Sequence, residues 1–272
     1  MGNRLRTVLQ VAKEELDLDI YLNPDLGDKS PKYLGDGTNV IAVIAPNGYI
    51  EGINDESAAS LSANKDLSYQ SLEDAGKPYP PYYIISHTED INDLCISLNI
   101  ANQFAHSVGY PVIIKTNQGS HSIGVKLVHN ETEFFNHIVN LFKSNNKIII
   151  QKYIPGPEFR VVLFKDNVVI AYEKISDEAI KNYQSSFYQE VEYIGPEMEQ
   201  FLIETQIALN LDYCAIDIKT PNLSDLDFNR TYILELNCHP GIHFMLEEKG
   251  VDFVRELYKK LILDVISRCK IN

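Results

Sequence analysis

The sequence has no tryptophan, only four cysteines, and no apolar run that approaches the length needed to cross a membrane. None of the cysteines stands at Cys-x-x-Cys spacing, and Cys214 and Cys238 lie in apolar, strand-like runs. We therefore expect buried thiols in a reducing compartment. Residues 1–6, MGNRLR, show no stretch that resembles a signal peptide, which favours a cytoplasmic protein.

Positive charge is also scarce. Lysine and arginine number 24 against 38 aspartates and glutamates, which gives a net charge of −14 with histidine neutral. A field of this sign repels phosphate backbones and argues against a nucleic-acid partner. A small anionic ligand stays compatible, because a few local cations and backbone N–H groups can hold phosphates inside an acidic protein.

The remaining composition is that of an ordinary globular protein, and its apolar periodicity predicts an α+β fold. We predict helices over residues 4–16, 54–76 (with a break), 89–108, 131–144, 197–209 and 247–269. We predict strands over residues 40–45, 49–53, 82–86, 112–116, 125–129, 148–154, 158–165, 168–175, 215–220 and 231–237. Residues 23–39, rich in Gly, Pro and Asp, are predicted as loop. The connector at residues 78–81, PYPP, suggests three parts: 1–77, an N-terminal α/β region with a lead-in helix; 78–154, a small lobe; and 155–272, a large lobe.

Three polar side chains interrupt two apolar strands near the C-terminus. Asp217 stands in AIDIK, and Glu235 and Asn237 stand in YILELN. Residues two apart on a strand face the same side, so Glu235 and Asn237 point together. If Asp217 lies on the neighbouring strand, two carboxylates and an amide converge, a set that suits a hard ion such as Mg²⁺. The alternative is a solvated strand face, but a buried carboxylate without a partner or metal would be costly.

A lysine near the end of an apolar strand opens onto a loop rich in glycine and serine. Lys115 follows Val-Ile-Ile, and residues 117–124 read NQGSHSIG. Such a loop brings backbone N–H groups and hydroxyls close to phosphates. The segment is not a Walker A sequence, and an ordinary surface turn is the alternative interpretation.

The third candidate segment is IIIQKYIPGPE, residues 148–158. Here an apolar strand runs into an irregular segment that can offer backbone groups to the edge of a base. Gln151 could meet the amino group of adenine, and Glu158 could accept hydrogen bonds from ribose hydroxyls. The alternative is a plain hinge between the lobes.

In this order, the loop, the hinge and the metal strands resemble the ATP-grasp superfamily over most of the chain, from about residue 54 onward. The resemblance rests on YPVIIKTNQGSHSIGVKLV, on IIIQKYIPGPEFRVVLF, and on AIDIK followed by YILELNCHPGI. It is greatest to the group of D-alanine–D-alanine ligase, glutathione synthetase and cyanophycin synthetase. It implies an ATP-grasp fold, in which two α+β lobes grip ATP behind a short N-terminal region.

The resemblance also implies roles for individual residues, motif by motif. Implied nucleotide contacts are two phosphate-binding lysines, a flexible phosphate loop, an adenine and ribose hinge, and two apolar residues of the adenine slot. The phosphate-binding lysines are Lys65 and Lys115, and the phosphate loop contributes Gly119, Ser120 and Ser122. The hinge residues are Gln151, Lys152, Ile154 and Glu158, and the apolar residues of the adenine slot are Ile113 and Leu234. The implied Mg²⁺ ligands are Asp217, Glu235 and Asn237.

The implied reaction is phosphoryl transfer from ATP to a carboxylate, followed by acyl transfer to an amine. Two Mg²⁺ ions, with Mn²⁺ as the alternative metal, neutralise the phosphates. Arg160 is the first choice for stabilising the tetrahedral oxyanion, and Lys174 and Lys219 are weaker choices. The dipeptide-ligase branch carries an arginine two residues before the first metal aspartate, where this sequence has Ala215. This departure argues against a D-alanine dipeptide product.

The sequence therefore predicts an ATP- and Mg-dependent carboxylate–amine ligase whose small-molecule substrates include amino acids or peptides. No nucleic acid or membrane is an expected partner, and the resemblance is compatible with a homodimer. The alternative is a nucleotide-binding ATP-grasp protein that acts as a kinase or as a non-catalytic scaffold. Residues 176–196, where a substrate-facing loop belongs, match no substrate signature.

Overall fold

The computed structural model describes residues 3–22, 30–119, 124–175 and 187–269. Within these residues the chain forms eight α-helices and twelve β-strands, and the strands are arranged in three antiparallel sheets. Helices and antiparallel sheets form separate layers, which is the predicted α+β class.

A three-stranded sheet packs with helices that are far apart in the sequence. The elements of this layer are α1 (Asn3–Glu14), β1 (Asp19–Leu22), β2 (Lys32–Gly35), β3 (Val40–Ile44), α7 (His243–Glu248) and α8 (Gly250–Cys269). Helix α1 packs against α8, and their apolar faces share one core that includes Val8, Ala12, Leu257 and Leu261. The apolar residues whose spacing predicted these two helices are therefore the residues that the helices bury.

Two predictions in this layer need correction. The predicted loop over residues 23–39 is wrong at Lys32–Gly35, which is strand β2; residues 23–29 lie outside the described residues. Leu34 is fully buried in the core, and this burial outweighs the turn-forming residues around it. The predicted strand over residues 49–53 is reduced to a single bridge between Ile44 and Ile50. The chain leaves the strand direction there because Ile50 and Ile53 both turn into the core.

A four-stranded sheet carries two of the predicted nucleotide contacts, Lys115 and Gln151. Its elements are β4 (Tyr82–Ser86), α4 (Ile91–Val108), β5 (Val112–Thr116), β6 (Lys126–Val128), α5 (Glu131–Phe142) and β7 (Lys147–Lys152), with strand order β4-β7-β5-β6. Side chains alternate between the two faces of a strand. One face forms a core with α4 and α5 through Val112, Ile114, Ile148 and Ile150. The opposite face carries Ile113, Lys115, Ile149 and Gln151.

A five-stranded sheet carries the predicted metal ligands. Its elements are β8 (Glu158–Phe164), β9 (Asn167–Ile175), β10 (Phe187–Glu190), α6 (Pro196–Ala208), β11 (Tyr213–Lys219) and β12 (Tyr232–Asn237), with strand order β10-β9-β8-β11-β12. The register sets Asp217 opposite Arg160 on one neighbouring strand and opposite Glu235 on the other. One residue thus faces both a cation and a second carboxylate.

Two short helices, α2 (Glu56–Ser62) and α3 (Lys65–Asp74), replace the broken helix predicted over residues 54–76. Asp55 caps the first, because its carboxylate accepts from the backbone N–H groups of Ser57 and Ala58. Helix α3 contacts both α6 and β12. It therefore lies beside the strand that carries Glu235 and Asn237.

Near the C-terminus, two further boundaries differ from the prediction. The helix predicted over residues 247–269 is two helices, α7 and α8, with the break at Gly250, whose φ of +79° favours glycine. Strand β10 was not predicted, and residues 176–186 of the expected substrate loop lie outside the described residues. The other predicted elements are confirmed in type, with small shifts at their ends. Cys214 and Cys238 are buried free thiols as predicted, whereas Cys95 is exposed.

Candidate active site

The start of helix α3 joins the predicted phosphate loop to a strand that carries predicted metal ligands. Lys65 is its first residue, and the ammonium Nζ donates to the Gly119 carbonyl oxygen at 3.3 Å. The same Nζ lies 3.8 Å from Oε2 of Glu235. Burial lowers the pKa of Lys65, and the charge of Glu235 opposes that shift. Lys65, which the resemblance implies as a phosphate-binding lysine, therefore lies between the Gly119 loop and Glu235.

One helical turn further, Tyr69 brings three of the predicted residues together. Its hydroxyl oxygen accepts from Lys115 Nζ at 2.9 Å and from Gln151 Nε2 at 2.6 Å. The same hydroxyl donates to the Leu234 carbonyl oxygen at 2.7 Å. The Tyr69 ring is 1% exposed and packs against the rings of Tyr79 and Tyr82. Sequence reasoning missed Tyr69, although its position four residues after Lys65 places both on one helix face.

Lys115 is buried on β5 and faces the same cluster. Burial lowers its pKa to about 8, because an ammonium ion is poorly stabilised away from water. The charges of Glu235, Glu158 and Asp217 act in the opposite direction and favour the charged form. Lys115 is thus a cation whose pKa lies well below that of an exposed lysine.

The hinge between β7 and β8 is held by lysine contacts. The backbone N–H of Lys152 donates to the Pro81 carbonyl, and Lys219 Nζ donates to the Gly156 carbonyl at 2.6 Å. Glu158 accepts from Lys174 Nζ at 2.6 Å and lies 4.0 Å from Lys219 Nζ. The predicted ribose-binding carboxylate is therefore ordered by cations on two neighbouring strands.

Asp217 accepts three charge-assisted hydrogen bonds. Its Oδ1 accepts from Arg160 Nε at 2.5 Å, and its Oδ2 accepts from Arg160 Nη2 at 2.6 Å and from Lys174 Nζ at 3.2 Å. Burial alone would raise the pKa of this carboxyl, but Lys174 and Arg160 hold it well below its usual range. Asp217 is therefore a buried, fully ionised carboxylate. The two predicted catalytic cations, Arg160 and Lys174, are its partners.

The three predicted metal ligands form one group on β11 and β12. Glu235 pairs directly across from Asp217, and Asn237 lies two residues along the same strand. The Asn237 Nδ2 atom is buried and has no hydrogen-bond partner among the described residues. Because the two ends of an amide have nearly the same shape, either its oxygen or its nitrogen can occupy that position. An amide end without a partner in the described part of the chain, two residues along the strand from Glu235, fits a hard divalent cation, which takes oxygen ligands.

Not every predicted residue can be placed in this group. Ser120 and Ser122 lie outside the described residues. Ile113 and Leu234 are half-buried, and Ile113 pairs in register with Gln151 on the neighbouring strand. Ile154 is half-buried in the hinge.

The charge of the cleft is opposite to that of the whole chain. Its basic side chains are Lys65, Lys115, Arg160, Lys174 and Lys219, and its carboxylates are Glu158, Asp217 and Glu235. A local excess of positive charge in an acidic protein suits a small, multiply charged anion. The charges of these side chains are those that a polyphosphate with a divalent cation would require.

Comparison with known families agrees with this geometry. A family model described as a RimK-like ATP-grasp domain matches residues 62–261, which include all of the candidate site. The chain belongs to the RimK-like ATP-grasp family. None of the described helices of this ATP-grasp protein is long and apolar enough to cross a membrane.

Two curated relatives of this ATP-grasp chain are named as ligases. The D-alanine–D-alanine ligase of Geobacter sulfurreducens is 21% identical over 226 residues, which cover 78% of this chain and 68% of that protein. The ribosomal protein bS6–L-glutamate ligase of Shigella boydii is 24% identical over 215 residues, 76% of this chain and 66% of that protein. The chain thus spans about two thirds of the length of these relatives.

Solved structures show the same fold. The D-alanine–D-alanine ligase of Bacillus anthracis complexed with ATP matches with a TM-score of 0.59 at 21% identity, covering 80% of this chain and 69% of that one. The ATP-grasp ligase PsnB complexed with a minimal precursor matches with a TM-score of 0.56 at 21% identity, covering 78% and 63%. The predicted family, fold and ligase class are therefore confirmed.

Proposed function

We propose that this chain binds ATP with Mg²⁺ and joins a carboxylate to an amine. The observation that carries the proposal is the meeting of three elements at Lys65. Its ammonium lies 3.3 Å from the carbonyl of Gly119 in the phosphate loop and 3.8 Å from the carboxylate of Glu235 on the metal strand. A lysine between a glycine loop and a carboxylate pair is placed to hold the terminal phosphates of a nucleotide.

Asp217, Glu235 and Asn237 would hold the metal, with Mg²⁺ or Mn²⁺ as candidates. When bound, such an ion neutralises phosphate charge and polarises the bond that breaks. Asp217 supports this role because it is ionised despite burial. Its Oδ1 accepts a single hydrogen bond and keeps a lone pair for a ligand.

The other candidate residues, which lie on the four-stranded sheet, on α3, in the hinge and on β8 and β12, would bind the rest of ATP. Lys65 and Lys115 contact phosphate oxygens, and Gly119 with its loop covers them. Ile113 and Leu234 line the adenine slot, and the hinge residues Gln151, Lys152 and Ile154 contact the base edge. Glu158, ordered by Lys174, accepts from the ribose hydroxyls.

The proposed reaction has two steps. A carboxylate oxygen of the substrate attacks the γ-phosphorus of ATP, the bond to ADP breaks, and an acyl phosphate forms. An amine attacks the acyl carbon, phosphate leaves, and the amine loses a proton. Arg160 and Lys174 are held in place by Asp217, and their charges would stabilise the tetrahedral oxyanion of the second step.

The substrates proposed for this chain are amino acids or peptides, because the matched relatives are named for ligating D-alanine or L-glutamate. A D-alanine dipeptide product is not favoured. Ala215 is fully buried in the apolar core, at the position where the resemblance implies an arginine.

A cytoplasmic location is part of the proposal and rests on the free thiols of Cys214 and Cys238. A homodimer stays a prediction.

ADP formation with ATP, Mg²⁺ and a panel of amino acids and short peptides tests the proposal. A ligase forms ADP only when both a carboxylate and an amine are present, and mass spectrometry detects the condensed product. We expect Glu235→Gln to abolish turnover, and Glu192→Gln, an exposed carboxylate, to serve as the matched control. Phosphorylation of a substrate without condensation would favour the kinase alternative. Full activity of Glu235→Gln would overturn the metal assignment.

A further inference from the structure

The hydroxyl of Tyr69 has all of its hydrogen-bonding capacity in use. A phenol oxygen can donate one proton and accept two. The Leu234 carbonyl can only accept, so the single proton of Tyr69 goes there, at 2.7 Å. The Lys115 ammonium can only donate, so it fills one acceptor position, at 2.9 Å. One acceptor position is left, and it faces Gln151 at 2.6 Å.

This count fixes the orientation of the Gln151 amide. The atom that faces Tyr69 must be the Nε2 donor, because the hydroxyl has no second proton to give. The reversed amide would bring Oε1 to 2.6 Å from the Tyr69 oxygen without a proton between them. Such a contact is costly at this site, where Gln151 is 3% exposed and Tyr69 is 1% exposed.

With Nε2 held by Tyr69, the other end of the amide, the Oε1 acceptor, is left for the base that the proposed nucleotide site would hold. Gln151 shares the cleft face of the four-stranded sheet with Ile113, its partner in the strand register. Among the described residues, no protein group donates to this oxygen. An acceptor at this point can pair with the exocyclic amino group of adenine. It opposes the carbonyl oxygen that guanine carries at the same ring position.

We propose that Tyr69 is a positioning residue that sets the preference for adenine over guanine, by holding the Gln151 amide with its oxygen toward the base. The proposal rests on the nucleotide binding proposed above. Tyr69 itself lies behind Gln151 and acts through it. Lys115 shares the same hydroxyl, so one side chain aligns both a phosphate contact and a base contact.

Nucleotide binding in equilibrium tests this without turnover. The probes are the non-hydrolysable analogues AMPPNP and GMPPNP, each with Mg²⁺, and the measured quantity is the ratio of their dissociation constants. We expect the wild type to prefer AMPPNP by at least about tenfold. Tyr69→Phe keeps the ring but frees the amide to rotate, so the ratio should fall by about fivefold or more. Weaker phosphate contact through Lys115 would reduce both affinities equally and cancel from the ratio.

Tyr82→Phe is the matched control, because its ring lies 4.7 Å from the Tyr69 ring and it also removes one hydroxyl from the aromatic cluster. We expect its ratio to equal that of the wild type. A fall of the ratio in Tyr82→Phe as large as in Tyr69→Phe would show a general packing effect and overturn the proposal.

A second background separates positioning from structural support. In Gln151→Ala the amide is absent, so Tyr69 has no group left to orient. We therefore expect Tyr69→Phe to change the ratio by less than about twofold in this background. An equal fall in both backgrounds, or an unchanged ratio in Tyr69→Phe alone, would overturn the role of Tyr69. If the wild type binds neither analogue, the proposed function itself fails, and this inference fails with it.

Discussion

Replacing Asp217 by asparagine removes the charge on which a buried group of cations depends. Asp217 is 4% exposed and accepts three hydrogen bonds from Arg160 and Lys174. Taking one partner from a buried ion pair costs about 3–5 kcal/mol, because the other charge stays buried without compensation. Asparagine keeps one acceptor oxygen for Arg160, and Lys174 keeps Glu158 at 2.6 Å. We therefore expect the lower end of that range, about 3 kcal/mol.

A loss of this size corresponds to a fall in Tm of about 6–12 °C for a chain of this length. The assay is thermal and urea unfolding of the free protein in a chelating buffer, so that neither metal nor nucleotide contributes. Asp74→Asn, at an exposed position near the end of α3, is the matched control and should change stability by less than about 0.5 kcal/mol.

The pH dependence of this difference has a defined sign. The folded-state pKa of Asp217 lies below its ordinary value, so its contribution is complete above the unfolded pKa of about 3.9. The contribution is lost as the pH falls through the lower folded pKa. The gap between wild type and variant should therefore be constant near neutral pH and narrow only in strong acid. A variant that melts within about 2 °C of the wild type at pH 7 would refute the argument that Asp217 is a buried, paired carboxylate.

Two further predictions concern Lys115 and Asn54. The pKa of Lys115 in the free protein is about 8, so nucleotide affinity should decline as the pH rises through that value. The variant Lys115→Arg should remove this decline, because arginine stays charged. A pH-independent affinity in the wild type would contradict the role of Lys115. Asn54 is buried and makes four hydrogen bonds, donating to the carbonyls of Tyr213 and Cys238 and accepting from the N–H groups of Asp212 and Tyr213. We expect Asn54→Ala to cost about 2–4 kcal/mol in urea unfolding, because buried backbone groups lose their partners. Asn229→Ala, at an exposed turn, is its control, and equal stabilities of the two variants would contradict the reasoning.

Part of the site follows from the sequence because strand alternation is a local rule. The rule places Glu235 and Asn237 on one side of a strand and Lys115 near the end of another, without knowledge of the fold. The family resemblance then orders these strands around a cleft. What the rule cannot supply is the pairing of Asp217 with Arg160, which depends on the antiparallel register of β11 and β8.

Tyr69 and Asn54 were missed for a similar reason. Tyr69 stands in a mostly polar helix, where a tyrosine is compatible with either a buried or an exposed position. Its partners Lys115, Gln151 and Leu234 are 46, 82 and 165 residues away. Asn54 precedes a helix and has the composition of an N-cap, but Asp55 caps α2 and Asn54 joins β11 to the end of β12. Local propensity gives no information about contacts between residues this far apart in the sequence.

The charges of the cleft link its stability to its proposed chemistry. A chain with a net charge of −14 has no general attraction for polyphosphates, so affinity must come from a few cations held in place. Those cations are costly to bury, and three of them are paired here with carboxylates: Lys65 with Glu235, Arg160 with Asp217, and Lys174 with both Asp217 and Glu158. A polyphosphate that enters the cleft offers the same cations new partners. The proposed nucleotide would thereby leave the carboxylates available to a divalent ion, so the groups that pair with one another in the free protein are the groups that the proposed reaction requires.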